Sequence, residues 1–222
     1  MEEKKEGKKD GNEHAYHLSV FLFMGILFLG LLAFTCEKSR AEKNAGAAVE
    51  RDGKGNIVMN VPEFYQWDEE WGKNPYAYGT IADSGCGPTC LSMVTVYYTG
   101  NTKKTPDWMA KYSTKHGHVY GSKTAWTLMT EGADDLGLHV KQIPIEEKAM
   151  KKEIQKGHLM ICSMSPGDFT RGGHFILLTG YENGEYHVND PNSMENTDKT
   201  WSYERIHSQI KNIWAYWNSI ER

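Results

Sequence analysis

Cysteine is scarce in this sequence. Four residues, Cys36, Cys86, Cys90 and Cys162, are spread irregularly through 222 positions, too few and too uneven for a disulfide framework. Only Cys86 and Cys90 lie close together, and no second Cys/His pair repeats their spacing, so a zinc site is not expected. An excess of positive charge is also missing. The 25 Lys and Arg are outweighed by 29 Asp and Glu, for a net charge of −4, and no basic patch points to nucleic acid. No nucleotide-binding loop and no internal repeat is found, and no cofactor or metal is expected. Aromatics make up 12% of the chain, with seven Trp and twelve Tyr, which excludes disorder over most of its length.

Long apolar runs are absent except for one. Residues 1–17 form a highly charged tail that mixes Lys4, Lys5, Lys8 and Lys9 with Glu2, Glu3, Glu6 and Asp10. Leu18 to Cys36 follows, 19 residues without a charge, and a membrane span needs roughly 20 apolar residues. The approach Phe34-Thr35-Cys36 fits neither a small-x-small cleavage site nor a lipoprotein signal well. The run reads as an uncleaved signal-anchor, a single transmembrane helix, with a cleaved or lipoprotein signal as alternatives. Lysines and arginines flank it on both sides, so the positive-inside rule decides little. The short N-terminal side favours an exported C-terminal domain at the cell membrane. Residues 37–56 are polar, rich in small residues and free of aromatics, and read as a flexible tether.

Residues 57–222 read as one domain of α+β class. Ile57 to Pro62 is a short strand, and an aromatic loop follows around Gln66. A helix is expected from Pro88 to Tyr98, stopped by Gly100-Asn101. The stretch 105–136 reads as two or three helices, one opened by Thr105-Pro106 and another by Ser122 to Trp126. Leu138 to Ile143 alternates as a strand does, and Ile145 to Lys156 is a charged helix. The remainder is β-rich: Leu159 to Met164, Gly172 to Gly180, an Asn183-Gly184 hairpin turn, and Tyr186 to Pro191. Trp201 to Asn218 reads as a helix followed by an apolar run. A helical half followed by an antiparallel half defines the class.

The chain is organised around Gly85-Cys86-Gly87-Pro88. Proline is tolerated in a first helical turn, so the thiol stands at a helix N-terminus, where the dipole favours a thiolate. The flanking glycines are expected to let a substrate approach closely. Cys90, one turn further on, and Cys162, in an apolar strand, read as core. A nucleophilic cysteine needs a histidine as base and a third group to orient it. His174 heads one strand and Asp190 ends its hairpin partner, so pairing geometry makes them neighbours at one end of the sheet. The expected trio is Cys86, His174 and Asp190. His116 and His118 read as loop residues, and His139, His158, His187 and His207 show no partners.

Gln66, Gly85-Cys86-Gly87-Pro88-Thr89, the run Gly173-His174-Phe175-Ile176-Leu177-Leu178-Thr179-Gly180, and Val188-Asn189-Asp190-Pro191 together resemble the papain-like domain of cysteine peptidase family thirty-nine, in its stand-alone peptidase-like branch. The resemblance spans about residues 57–217. It implies a papain-like fold, Cys86 as nucleophile, His174 as base, Asp190 as third member and Gln66 as oxyanion donor. Twenty positions separate Gln66 from Cys86, where transporter-fused relatives have only a few. Those relatives cut leader peptides after a double glycine. This chain shows no transporter domain, so that substrate is not implied.

The expected function is membrane-anchored, extracytoplasmic hydrolysis of a peptide or amide bond. The expected partners are a peptide or protein substrate and the membrane, with the protein a monomer. The alternatives are a catalytically inactive binding domain of the same fold and a thiol-dependent amidase or transpeptidase. The helical insert at 101–136 is the expected wall of the specificity pocket.

Overall fold

The computed structural model describes residues 49–53 and 55–218. The charged tail, the apolar run 18–36 and residues 37–48 lie outside them, and so do the expectations placed there. Among the described residues, no helix is long and apolar enough to cross a membrane.

The elements run, in chain order, β1 (Val49–Arg51), β2 (Ile57–Met59), β3 (Pro75–Tyr76), β4 (Gly79–Thr80), α1 (Ile81–Ser84), α2 (Cys86–Thr99) and α3 (Pro106–Lys115). Next come β5 (Val119–Tyr120), β6 (Lys123–Thr124), a 3-10 turn (Trp126–Met129), α4 (Glu131–Asp135), β7 (His139–Gln142) and α5 (Glu147–Gln155). The chain ends with β8 (Leu159–Met164), β9 (His174–Glu182), β10 (Glu185–Asn189), α6 (Met194–Thr197), β11 (Thr200–Ser202), α7 (Tyr203–Ile206), a 3-10 turn at His207–Gln209 and β12 (Ile210–Trp217).

Eight strands form one antiparallel sheet with the path β1-β2-β9-β8-β12-β7, and β10 pairs with both β9 and β11. β8 is buried along its whole length and β9 at every residue but the last, the apolar signature of strands covered on both faces. α2 packs between α3 and β9 and is buried from Gly87 to Tyr97. A helix apolar nearly all round belongs inside a core.

Several expectations change in detail. α2 begins at Cys86, not Pro88, so the thiol is carried by the first helical residue. It ends as the sequence indicates, with Gly100 left-handed at φ 67°. Ser122 to Trp126 opens no helix. It belongs to a hairpin in which Val119 pairs Thr124 and Tyr120 pairs Lys123, followed by a 3-10 turn and then the short α4. Val49–Arg51, inside the stretch read as a tether, forms a strand against β2. The C-terminal segment is β11, a short α7 and then β12, inserted between β8 and β7.

The histidines read as lacking partners have them. His158 Nδ1 lies 2.7 Å from Glu153, His207 Nδ1 lies 3.0 Å from the Tyr203 carbonyl, and His187 lies 3.4 Å from Glu182. His139 and His158 both stack on Trp217. These partners come from tertiary packing, which residue spacing does not reveal.

Candidate active site

The Cys86 segment is fixed from behind. Thr80 caps α1 through a reciprocal pair with Asp83. Gly85 then joins α1 to α2, its N–H donating to the Ile81 carbonyl at 2.7 Å. The flanking glycines are filled by the protein's own atoms. A Cβ at Gly85 would lie 2.5 Å from the Ile81 oxygen, and one at Gly87 would lie 2.8 Å from Thr124 Cγ2. The space expected for a substrate is therefore occupied by packing.

Thr124 also accepts or donates a 2.8 Å bond with the Tyr76 hydroxyl, which bonds Ser113 at 3.0 Å as well. One buried tyrosine thus links the β3–β4 hairpin, α3 and the β5–β6 hairpin behind the first turn of α2. Burial raises the pKa of Tyr76 above that of a free phenol. Cys86 is partly exposed, whereas Cys90 and Cys162 are fully buried. Burial pushes both of those thiols well up.

His174 and Asp190 meet. His174 Nε2 lies 2.7 Å from Asp190 Oδ1, with the residues 7% and 1% exposed. An ionised carboxylate only accepts hydrogen bonds, so Nε2 carries the proton and Nδ1 is left for Cys86. Burial opposes charge on His174. Hydrogen bonds from its ring to Asp190 and Cys86 outweigh this and raise it to about 10.

A bulge makes the meeting possible. From the turn outward, Glu185 pairs Glu182 and His187 pairs Gly180, but after a shift between His187 and Val188, Val188 pairs Leu178 and Asn189 pairs Leu177. Extending the shifted register sets Asp190 opposite Ile176, on the same face as His174. Without the shift Asp190 would face the other side, because a one-residue slip exchanges the faces of a strand.

Gln66 is buried at 4% exposure and stitches the two halves together. Its backbone N–H donates to the Pro191 carbonyl at 2.8 Å. Its Nε2 donates to the Ala82 carbonyl at 2.6 Å. The amide keeps a second N–H, while Oε1 meets no donor among the described residues. Gln66 thus bonds Ala82, four residues before Cys86, and Pro191, the residue after Asp190.

Residue spacing did not single out the partners of Asp190. Asn196 Nδ2 donates to Oδ2 at 2.8 Å, the Asn192 N–H donates to Oδ1 at 2.9 Å, and Thr197 Oγ1 accepts from the Asp190 N–H at 3.0 Å. The one local signal was Ser193, a helix cap that bonds the Asn196 N–H. Among the described residues, no group of three or more His, Cys, Asp or Glu could hold a metal.

The chain has similarity to known proteins. A family model described as "Peptidase_C39 like family" matches residues 58–222. Two solved structures are similar. The peptidase domain of Streptococcus ComA, a bi-functional ABC transporter involved in a quorum sensing pathway, is 20% identical with a TM-score of 0.45. That match covers 64% of this chain and 94% of the other. A putative C39-like peptidase from Bacillus anthracis is 16% identical with a TM-score of 0.49, covering 75% and 98%. A comparison with curated proteins finds no match.

Proposed function

Because the chain belongs to the peptidase C39-like family, with that family's mixture of helices and antiparallel sheet, we propose that it is a cysteine peptidase acting through Cys86, His174 and Asp190. The observation that carries this reading is the buried 2.7 Å bond from His174 to Asp190, and Cys86 is among the groups that raise the pKa of the same ring.

The proposed chemistry follows from that arrangement. The Cys86 thiol passes its proton to His174 Nδ1, and the thiolate attacks the carbonyl carbon of a peptide bond, forming a C–S bond and placing negative charge on the oxygen. The Cys86 N–H and the second N–H of Gln66 are the proposed donors to that oxygen. Such a donor contributes on the order of 3 kcal/mol. As the C–N bond breaks, His174 gives its proton to the leaving amine. It then takes a proton from the water that attacks the thioester, and Cys86 leaves as the thiolate with a free carboxylate product. Asp190 holds the ring and supports its charge throughout.

The uncharged run Leu18 to Cys36 supports a tether that holds this domain at the outer side of the cell membrane. Labelling with a thiol-reactive peptide probe tests the chemistry. Cys86→Ala abolishes labelling and Cys90→Ala preserves it; equal labelling of the Cys86 variant refutes the assignment. Recovery of the full chain in the soluble fraction without detergent refutes the tether.

A further inference from the structure

Asp190 lies one residue beyond the end of β10, so sheet pairing does not fix its side chain. It is 1% exposed, and a buried carboxylate must have its oxygens satisfied by the protein. Oδ1 accepts from His174 Nε2 and from the Asn192 N–H. Oδ2 accepts from Asn196 Nδ2 at 2.8 Å. Without that amide, Oδ2 would lose its side-chain donor, and rotating the carboxyl group to find another would draw Oδ1 away from His174.

Asn196 is itself held at both its N–H and its carbonyl. Its N–H donates to Ser193 Oγ at 3.2 Å. Its carbonyl accepts from Trp201 Nε1 at 3.0 Å. The Trp201 ring packs on Phe169, centroids 4.4 Å apart, in the segment that leads into His174. The residue type matters too. A neutral amide anchors a carboxylate without neutralising it, whereas a lysine or arginine would compete with His174 for its charge.

We infer that Asn196 is a positioning residue, anchoring Asp190 Oδ2 so that Oδ1 stays on His174. This rests on the reading of Cys86, His174 and Asp190 as the reactive trio. The titratable groups around Asp190 are His174 from β9 and Cys86 and Cys90 from α2. Tyr65 shares Thr197, and burial followed by Glu63 pushes it up to about 12. Glu195, on the same turn as Asn196, is exposed and paired with Lys199.

The test is the rate of Cys86 alkylation by iodoacetamide against pH, on the full chain, read by mass spectrometry of the Cys86 peptide. In Asn196→Ala the acid limb of the profile moves up by about one pH unit, which is about tenfold slower reaction at its foot. Asn196→Leu keeps the volume and behaves alike; it serves if the alanine variant does not fold. Thr197→Val, which loses the bond to the Asp190 backbone but not to its carboxylate, lowers thermal stability and leaves the limb in place. A merely structural Asn196 would lower stability with no shift of the limb, and that result overturns the inference. A wild-type profile with no reactive thiolate below neutral pH overturns the underlying trio instead, and this inference with it.

Discussion

Replacing Gly85 with alanine should be far more costly than the same change one residue before His174. The added methyl would lie 2.5 Å from the Ile81 carbonyl oxygen and from Ile81 Cγ2, and 3.0 Å from its Cα. Favourable carbon contacts begin near 3.5 Å, so something must move by roughly 1 Å. Ile81 is fully buried, and its carbonyl also accepts the Gly85 N–H, so neither can retreat cheaply. Overpacking of this kind costs about 1–3 kcal/mol. The backbone at φ −85° suits alanine, and reduced freedom of the unfolded chain returns about 0.5 kcal/mol. The net loss expected is about 2 kcal/mol. The displaced residue is the neighbour of Cys86, and a shift of about 1 Å in a reacting group costs on the order of a hundredfold in rate. Gly173→Ala adds a methyl with nothing within 4 Å and should stay within about 0.5 kcal/mol of wild type. Urea denaturation gives the stabilities, and iodoacetamide and a peptide probe give the reactivity. If Gly85→Ala is as stable as wild type and reacts normally with iodoacetamide but not with the peptide probe, the glycine makes room for substrate and the packing argument fails.

Asp190→Asn removes the negative partner of His174 and should slow Cys86 labelling by on the order of a hundredfold or more. His174 is raised from 6.5 to about 10, so its pairing stabilises the fold below about pH 6.5 and is lost as pH rises toward 10. Denaturation from pH 6 to 10 should show that decline in wild type and a flatter curve in Asp190→Asn. Glu153 is buried, which alone would raise it, but Lys141, Lys156 and His158 hold it down from 4.5 to about 2. Its contribution is present above about pH 4.5 and is lost as pH falls toward 2, so Glu153→Gln should flatten the acid limb of thermal stability; an unchanged limb refutes it. Tyr76→Phe strips Thr124 of its buried partner, while Ser113 keeps the His118 carbonyl at 3.2 Å. The expected loss is about 1–2 kcal/mol by denaturant titration, and no loss would refute the link described between the two hairpins.

The long elements were legible because their patterns are strong. α2 and the strands β8 to β10 carry apolar runs closed by clear stops at Gly100 and Asn183-Gly184. The β5–β6 hairpin was not, because each of its strands has two residues and shows no alternation. Its turn depends on Gly121 at φ 59°, and Ser122 to Trp126 has the composition of a helix opening. The Glu153 cluster was hidden for another reason. Lys156 stands three residues from Glu153, a helical spacing, but Lys141 comes from β7 and His158 from the residue just before β8, and spacing does not join these two to it. The glycines beside Cys86 were noticed and misread, since a sequence shows a missing side chain but not what fills the space.

Pairing across the Asn183-Gly184 turn explains why His174 and Asp190 share one end of the sheet, but not why they share a face. A regular ladder from Asn183-Gly184 would bring the two residues to one end of the sheet and set them on opposite faces. The extra residue on β9, Thr179, left unpaired between Gly180 and Leu178, corrects the parity. β10 ends at Asn189, just before Asp190-Pro191, and the Asp190 carboxylate is held by Asn192 and Asn196 as well as by His174. Gln66 completes the arrangement from the other side, joining Pro191 to Ala82. The short helix just before the thiol and the segment just after Asp190 are thus joined by a residue that lies in neither.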